Sequence, residues 1–272
     1  MGRFWSLLFL LVPILGVAVF ALAATDTWPF QNTWFPEDIS ERGYIIDGLF
    51  NFIMYLTGAI FIATGLALFW FLWKYDGARN AENVKFVHGS HVLELVWSIL
   101  PAAVLLFIAI FQMDTWAGSK VNRPELFPGP DSIVGTQDDT ALVEVTARQF
   151  EWRIRYAGKD QILFTPDDLY TVNDLHLPVD EKATIGIKSM DVLHSFFIPN
   201  VRVKQDVVPG MKQYVWFTPV KTGVYDIVCA ELCGWGHYKM KGRMIVESRQ
   251  KYEQWLAELD VEQNKASFTP GE

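Results

Sequence analysis

Residues 48–73 read GLFNFIMYLTGAIFIATGLALFWFLW, an unbroken run without a charged side chain. About 20 mainly apolar residues in a helix cross the hydrocarbon core of a bilayer, so this run is long enough to span it. A second charge-free run extends from Leu95 to Met113, and Asp47, Lys74, Glu94 and Asp114 bound the two. Together they read as a transmembrane hairpin, because the core helices of a soluble protein seldom stay uncharged over such lengths. Trp70, Trp73 and Trp116 lie near the span ends, where indoles favour the boundary between lipid and water. Pro101 falls inside the second run and is expected to bend that helix without ending it.

Upstream, Phe4 to Ala24 is apolar behind Arg3 and ends in Ala21-Leu22-Ala23. Those small residues have the form of a secretory cleavage site, so the segment is either a removed signal peptide or a first transmembrane helix. The loop within the hairpin carries Lys74, Arg79 and Lys85, whereas Asp26, Glu37, Asp38 and Glu41 precede the hairpin with Arg42 alone against them. The bias of Lys and Arg toward cytoplasmic loops puts the hairpin loop inside and everything from Ala117 onward on the periplasmic or outer face. The net charge of −8 argues against a nucleic-acid partner and suits a basic protein partner, since complementary fields speed encounter.

From Ala141 the pattern changes to short alternating segments: 141–148, 152–156, 184–188, 193–198, 213–217, 223–228 and 242–247, with Pro209-Gly210 and Lys221-Thr-Gly223 as turns. Strands at this spacing predict a Greek-key β-sandwich or barrel. Tyr252, Trp255, Leu256 and Leu259 then recur at helical spacing and predict a short amphipathic helix that closes the domain. The expected organisation is residues 1–24 as signal or first helix, 25–43 as an outer linker, 44–116 as the hairpin, 117–248 as the β domain, and 249–272 as helix and tail. Two segments, 129–139 and 158–168, share the pattern G-x-D-x-I-x-x-T-x-D-D. Their carboxylates suggest either acidic turns or calcium loops; the spacing lacks the EF-hand pattern, which favours turns.

The densest chemistry is Cys229-Ala-Glu-Leu-Cys233-Gly-Trp-Gly-His237-Tyr-Lys-Met240, with His194 upstream. Cys229 and Cys233 are the chain's only cysteines, so they form either one local disulfide or a pair of ligands. Taken alone the pair favours a disulfide, but His237 and Met240 at fixed offsets favour ligands. Thiolate, imidazole and thioether are soft donors that select copper over calcium or magnesium. A single copper needs one cysteine, whereas two allow two sulfurs to bridge two ions. His88, His91 and His176 read as surface or structural residues.

The C-x-E-x-C-x-x-x-H-x-x-M pattern with its upstream histidine resembles cytochrome c oxidase subunit II, and the resemblance runs from the hairpin to Ser248. His194-Ser-Phe-Phe-Ile-Pro-Asn200, Lys204-Gln-Asp-Val-Val-Pro-Gly210, Phe217-Thr-Pro219 and Leu93-Glu-Leu-Val-Trp-Ser-Ile-Leu-Pro101 are similar to family stretches. The resemblance implies a membrane-anchored all-β protein with a cupredoxin-like outer domain and a dinuclear copper centre, CuA. In that arrangement His194, Cys229, Cys233 and Met240 serve one copper. His237, both cysteines and the Glu231 carbonyl serve the other. The Glu231 carboxylate is implied to bind magnesium or manganese at the contact with subunit I, and Glu94 to open a proton-uptake route. The family's tryptophan through which electrons arrive is replaced here by Phe150, and Trp152 falls on its second tryptophan.

The implied partners are subunit I and the other oxidase subunits of a bacterial-type plasma membrane. The implied donor is a separate cytochrome c or similar protein, since no C-x-x-C-H occurs in this sequence. Electrons would pass through this chain to the haem of subunit I, where oxygen is reduced to water. Alternatives are the copper subunit of a nitric oxide reductase and a membrane-anchored copper-delivery protein. A quinol oxidase subunit II would lack the copper ligands.

Overall fold

The computed structural model describes residues 2–31, 33–75, 86, 88–122, 124, 126 and 141–266. Two compact units emerge: one of Met1–Pro36 with Asp47–Met113, and one of Glu37–Ile46 with Asp114–Glu272.

The first unit holds α1 (Gly2–Ala24), α2 (Gly43–Lys74, apart from its first turn) and α3 (His91–Phe111). Each is long and apolar enough to cross a membrane. At about 1.5 Å per residue, the 32 residues of α2 reach roughly 48 Å, well beyond a hydrocarbon core about 30 Å thick. α1 and α2 touch where the Ser6 hydroxyl donates to the Phe69 carbonyl at 2.9 Å. A Cβ at Gly65 would lie 3.0 Å from Pro13, so glycine there admits the proline ring. α2 and α3 meet through Phe52, whose ring lies 6.1 Å from Phe107 and from Phe111. Ser90 caps α3 by accepting the Leu93 N–H, and the helix runs through Pro101 without interruption. The apolar faces of α2 and α3 are left uncovered by protein, as lipid-facing helices require. The chain then passes through α4 (Met113–Trp116) and a π-helical turn at Ala117–Val121.

The second unit is built on two five-stranded sheets. The first has the order β3-β2-β1-β5-β8, from β1 (Val143–Arg148), β2 (Glu151–Tyr156), β3 (Leu169–Val172), β5 (Ala183–Ser189) and β8 (Gln213–Phe217). The second has the order β4-β10-β9-β6-β7, from β4 (Asp174–Pro178), β6 (His194–Ile198), β7 (Val203–Val207), β9 (Gly223–Cys229) and β10 (Lys241–Glu247). β1 pairs parallel to β5 and β10 parallel to β4, while the other ladders are antiparallel. Alternate residues point inward: Val143, Val145, Ile154, Ile185 and Ile187 from one sheet meet Leu175, Phe196, Ile227 and Met244 from the other.

Every strand segment read from the sequence has a counterpart here, with boundaries that differ by at most two residues. β3, β4 and β7 were not foreseen. β3 and β4 are separated only by Asn173, at φ +64°, and the stretch read as loop. β7 is a half-exposed edge strand bearing Lys204 and Asp206, so it lacks the apolar signal of an inner strand.

Two further segments complete this unit. Ile39, which precedes α2, is fully buried among the β-domain residues. Its N–H donates to the Asn200 carbonyl and its carbonyl accepts from the Val220 N–H, at 2.9 and 2.7 Å. α5 (Arg249–Ala266) extends the expected closing helix at both ends. It buries Tyr252 and stacks Trp255 face to face on His176, with centroids 3.7 Å apart.

In the acidic loop 158–168, the Asp160 carboxylate accepts the Ile162 N–H and Asp167 accepts the Thr165 hydroxyl. Asp168 accepts the Phe164 N–H and pairs with Arg155. The carboxylates therefore close the loop on itself, which favours the turn reading. Its counterpart at 129–139 lies outside the described residues.

Candidate metal centre

The core sheet brings distant residues together. β6 and β9 are neighbours, with Phe196 opposite Cys229, so the first residue of β6, His194, comes beside the last residue of β9. The loop 230–240 leaves β9 and returns as β10, and it is pinned at both ends. Ala230 N–H donates to the Ser195 carbonyl, Cys229 N–H to the Met240 carbonyl, and the Gln149 side chain to the Cys233 carbonyl. Gly234 sits at φ +135°, a conformation that side chains disfavour, and a Cβ on Gly236 would lie 2.6 Å from the Phe150 ring. Only glycines let this loop fold so tightly.

Within it the two sulfurs lie 3.8 Å apart and are free thiols, far from the 2.05 Å of a bonded pair. His194 Nδ1 is 3.9 Å from Cys229 Sγ, and His237 Nδ1 is 3.7 Å from Cys233 Sγ. Met240 Sδ is 3.8 Å from Cys233 Sγ, while the Glu231 carbonyl oxygen is 3.2 Å from Cys229 Sγ. His194, Cys229 and Cys233 form a buried group whose ligand atoms lie within 4.8 Å of one another. All six ligand candidates named from the sequence thus converge. Soft sulfur and imidazole donors in a buried cluster fit copper.

The electrostatics split the thiols. Burial opposes ionisation of Cys229, yet hydrogen bonds from His194 and the nearby backbone bring its pKa well below the usual thiol value. Burial, together with the neighbouring Cys229 charge, pushes Cys233 above it. For His194, burial disfavours the charged form, but bonds to Cys229 and Asp191 outweigh it and raise the pKa. His194 is oriented from behind: its Nε2 lies 2.8 Å from an Asp191 carboxylate oxygen, and the other oxygen of that carboxylate accepts the Gln149 N–H. This leaves Nδ1 facing the sulfurs, the arrangement by which an outer carboxylate fixes a ligand histidine. Asp191 was missed in the sequence reading; an acid three residues ahead of a candidate ligand was the available signal.

The remaining candidates lie elsewhere or have other surroundings. Trp152 is fully buried, packed edge-on against Phe196 and beside His194. Phe150 is half-buried and meets the Trp235 ring edge-on at 5.1 Å. Glu94 sits in the first turn of α3, 3.3 Å from His91. His176 pairs with Glu247 at 2.8 Å as well as with Trp255, and His88 lies against Phe86; neither they nor His91 joins a metal-binding group among the described residues.

Comparison with known proteins fits this geometry. Residues 30–114 match the model of the cytochrome c oxidase subunit II transmembrane domain, and residues 143–248 match that of its periplasmic domain. The alternative cytochrome c oxidase subunit 2 of Bradyrhizobium diazoefficiens is 30% identical over 278 residues, covering 92% of this chain and 90% of its own. The chain belongs to the cytochrome c oxidase subunit II family. Another member, cytochrome c oxidase subunit 2 of Thermostichus vulcanus, is 26% identical, covering 81% of this chain and 76% of its own. The solved periplasmic domain of subunit II of cytochrome oxidase from Bradyrhizobium japonicum is 24% identical with a TM-score of 0.40, covering 45% of this chain and 94% of that one. As a subunit II, the chain is a membrane protein of an oxidoreductase complex. Its outer half is a cupredoxin-like periplasmic domain whose His-Cys-Cys group can bind copper.

Proposed function

We propose that this chain is the electron-input subunit of a haem-copper cytochrome c oxidase in a bacterial plasma membrane, its copper domain on the periplasmic side. Cys229, Cys233, His194, His237, Met240 and the Glu231 carbonyl would hold a pair of copper ions, which would supply one-electron chemistry at this site. This chain's residues hold the donors in a buried, preformed pocket, so little moves when the charge changes. Asp191 keeps the His194 ring aimed at the sulfurs, and the glycines of the ligand loop keep its backbone close.

Electrons arrive from a c-type cytochrome and leave to the haem of subunit I, where oxygen is reduced. The Glu231 carboxylate is available for magnesium or manganese at the subunit I contact, and Glu94, at the start of α3, for proton uptake. The observation that carries the reading is a pair of unbonded sulfurs 3.8 Å apart, each with an imidazole nitrogen within 4 Å and a thioether beside one. Met240 in contact with Cys233 Sγ disfavours a copper-delivery role, which needs no such third sulfur. In the assembled oxidase, His237→Ala should abolish the shared-electron copper signal and slow electron acceptance from cytochrome c while the subunits stay together. Unchanged acceptance would contradict the ligand assignment.

A further inference from the structure

A cavity of about 240 Å³ lies where the two chain segments that adjoin the spans meet the β domain. One segment, Ser40 to Ile46, leads into α2; the other, Gly118 to Asn122, follows α4. Both are tied to the end of β8. The Glu41 N–H donates to the Thr218 carbonyl at 3.0 Å, and the Trp216 indole N–H donates to the Gly118 carbonyl at 3.0 Å. Five cationic residues line the cavity, Arg42, Lys120, Lys182, Arg202 and Lys204, against Glu41 as the one carboxylate among the described lining residues. None of Arg42, Lys120, Lys182 and Lys204 forms an ion pair with a described carboxylate; Asp206 on β7 acts on Lys120 through space. Two of these cations are held in place. Lys120 Nζ donates to the Lys204 carbonyl at 3.1 Å and to Gln205 Oε1 at 2.7 Å, which leaves one of its three N–H groups over. A Cβ on Gly118 would lie 2.5 Å from Arg42 Nη2, so glycine lets the guanidinium lie against this turn.

Like charges gathered around one concavity repel one another, and an anion that enters it removes that cost. Guanidinium and ammonium side by side suit phosphate, the first as a fork of donors and the second as a point charge. Position favours a phospholipid over a soluble anion. Lys and Arg are normally scarce beside the outer ends of spans, yet Arg42 directly precedes α2 and Lys120 follows the last residue of α4 by four. At these points the chain leaves the hydrocarbon, which is the level of the lipid headgroups. Ile46, Val203 and Phe217 add apolar surface to the lining, which a bare ion does not use and a glycerol backbone with its upper acyl chains does. Basic pockets beside membrane helices bind phospholipid headgroups on the same principle. We propose that this cavity binds the headgroup phosphate of one anionic phospholipid from the outer leaflet, held by Arg42 and Lys120 within the wider field of Lys182, Arg202 and Lys204. The bound lipid links the segment before α2 to the turn after α4. The proposal rests on the outer-side placement of the β domain given above and is independent of the copper assignment.

The test uses the assembled oxidase in phosphatidylcholine nanodiscs, titrated with phosphatidylglycerol and followed by native mass spectrometry of the retained lipid. Arg42→Gln/Lys120→Gln should need roughly 30-fold more phosphatidylglycerol than the wild type to fill this site, about fivefold for each cation removed. The charge-conserving pair Arg42→Lys/Lys120→Arg should keep most of the binding. Lys212→Gln/Lys251→Gln, which removes the same charge outside the cavity, should titrate as the wild type. Identical titrations of the wild type and Arg42→Gln/Lys120→Gln overturn the proposal. So does a loss in the charge-conserving pair as large as in the glutamine pair, since charge is then not what binds. Displacement of the lipid by millimolar inorganic phosphate would make this a soluble-anion site, and a carbodiimide cross-link from Lys120 to a carboxylate of another subunit would show protein in the cavity; either result also overturns it. Labelling of Lys120→Cys by an impermeant maleimide from the cytoplasmic face alone would instead overturn the outer-side placement of the domain.

Discussion

Ile39 offers a test of how the outer domain is assembled, because it enters the β core from a segment that precedes α2. It is fully buried, and its backbone bonds to Asn200 and Val220 join it to two separate parts of the domain. Ile39→Ala removes roughly three carbons from the core. At about 0.8 kcal/mol each this is about 2.4 kcal/mol, and the cavity left behind raises the cost to roughly 3 kcal/mol or more. A domain of this size loses about 2–4 °C in Tm per kcal/mol, so the expected drop is roughly 6–12 °C. The assay is thermal unfolding of the full chain in detergent, followed by near-ultraviolet circular dichroism with copper removed, since bound metal would add its own stabilisation. Val220→Ala, at a half-exposed neighbour, serves as the control. An Ile39→Ala shift no larger than that control would refute the claim that this segment is part of the domain's core. The same reasoning predicts that an outer domain cut off at Ala117 is less stable than the domain within the whole chain, since it lacks Ile39.

Two other outcomes follow from particular contacts. Asp191→Ala removes the carboxylate behind His194 and should lower copper affinity about 10–100-fold; equal copper retention in a chelator competition would show that the contact orients nothing. Burial raises the Asp168 pKa, against the opposing Phe164 N–H and Arg155 charge. The stabilisation brought by its protonation is therefore complete below the ordinary carboxylate range and lost as pH rises through the raised folded value. Asp168→Asn should abolish that gain on acidification, so the two stability curves should diverge as pH falls into the acid range; parallel curves would contradict the assigned direction.

The legibility of this chain divides along physical lines. The spans were plain because lipid demands long charge-free runs, and the ligand loop because copper demands soft donors at short spacing. Inner strands such as β1 and β5 carry alternating apolar residues and were readable. β7 was not, because an edge strand with Lys204 and Asp206 has little apolar signal, nor was the role of Ile39, which depends on packing against residues far away in the chain. At the site, the six donors were legible from spacing and resemblance. Asp191 was not, since its role depends on which side chains face one another once β6 and β9 pair.

The most direct test of the account is the metal content and paramagnetic resonance of the mature chain within its assembled oxidase. The account predicts two coppers bound by this chain, with a hyperfine pattern from one unpaired electron spread over both nuclei. A single copper, or Cys229 and Cys233 found joined as a disulfide with no metal between them, would contradict it.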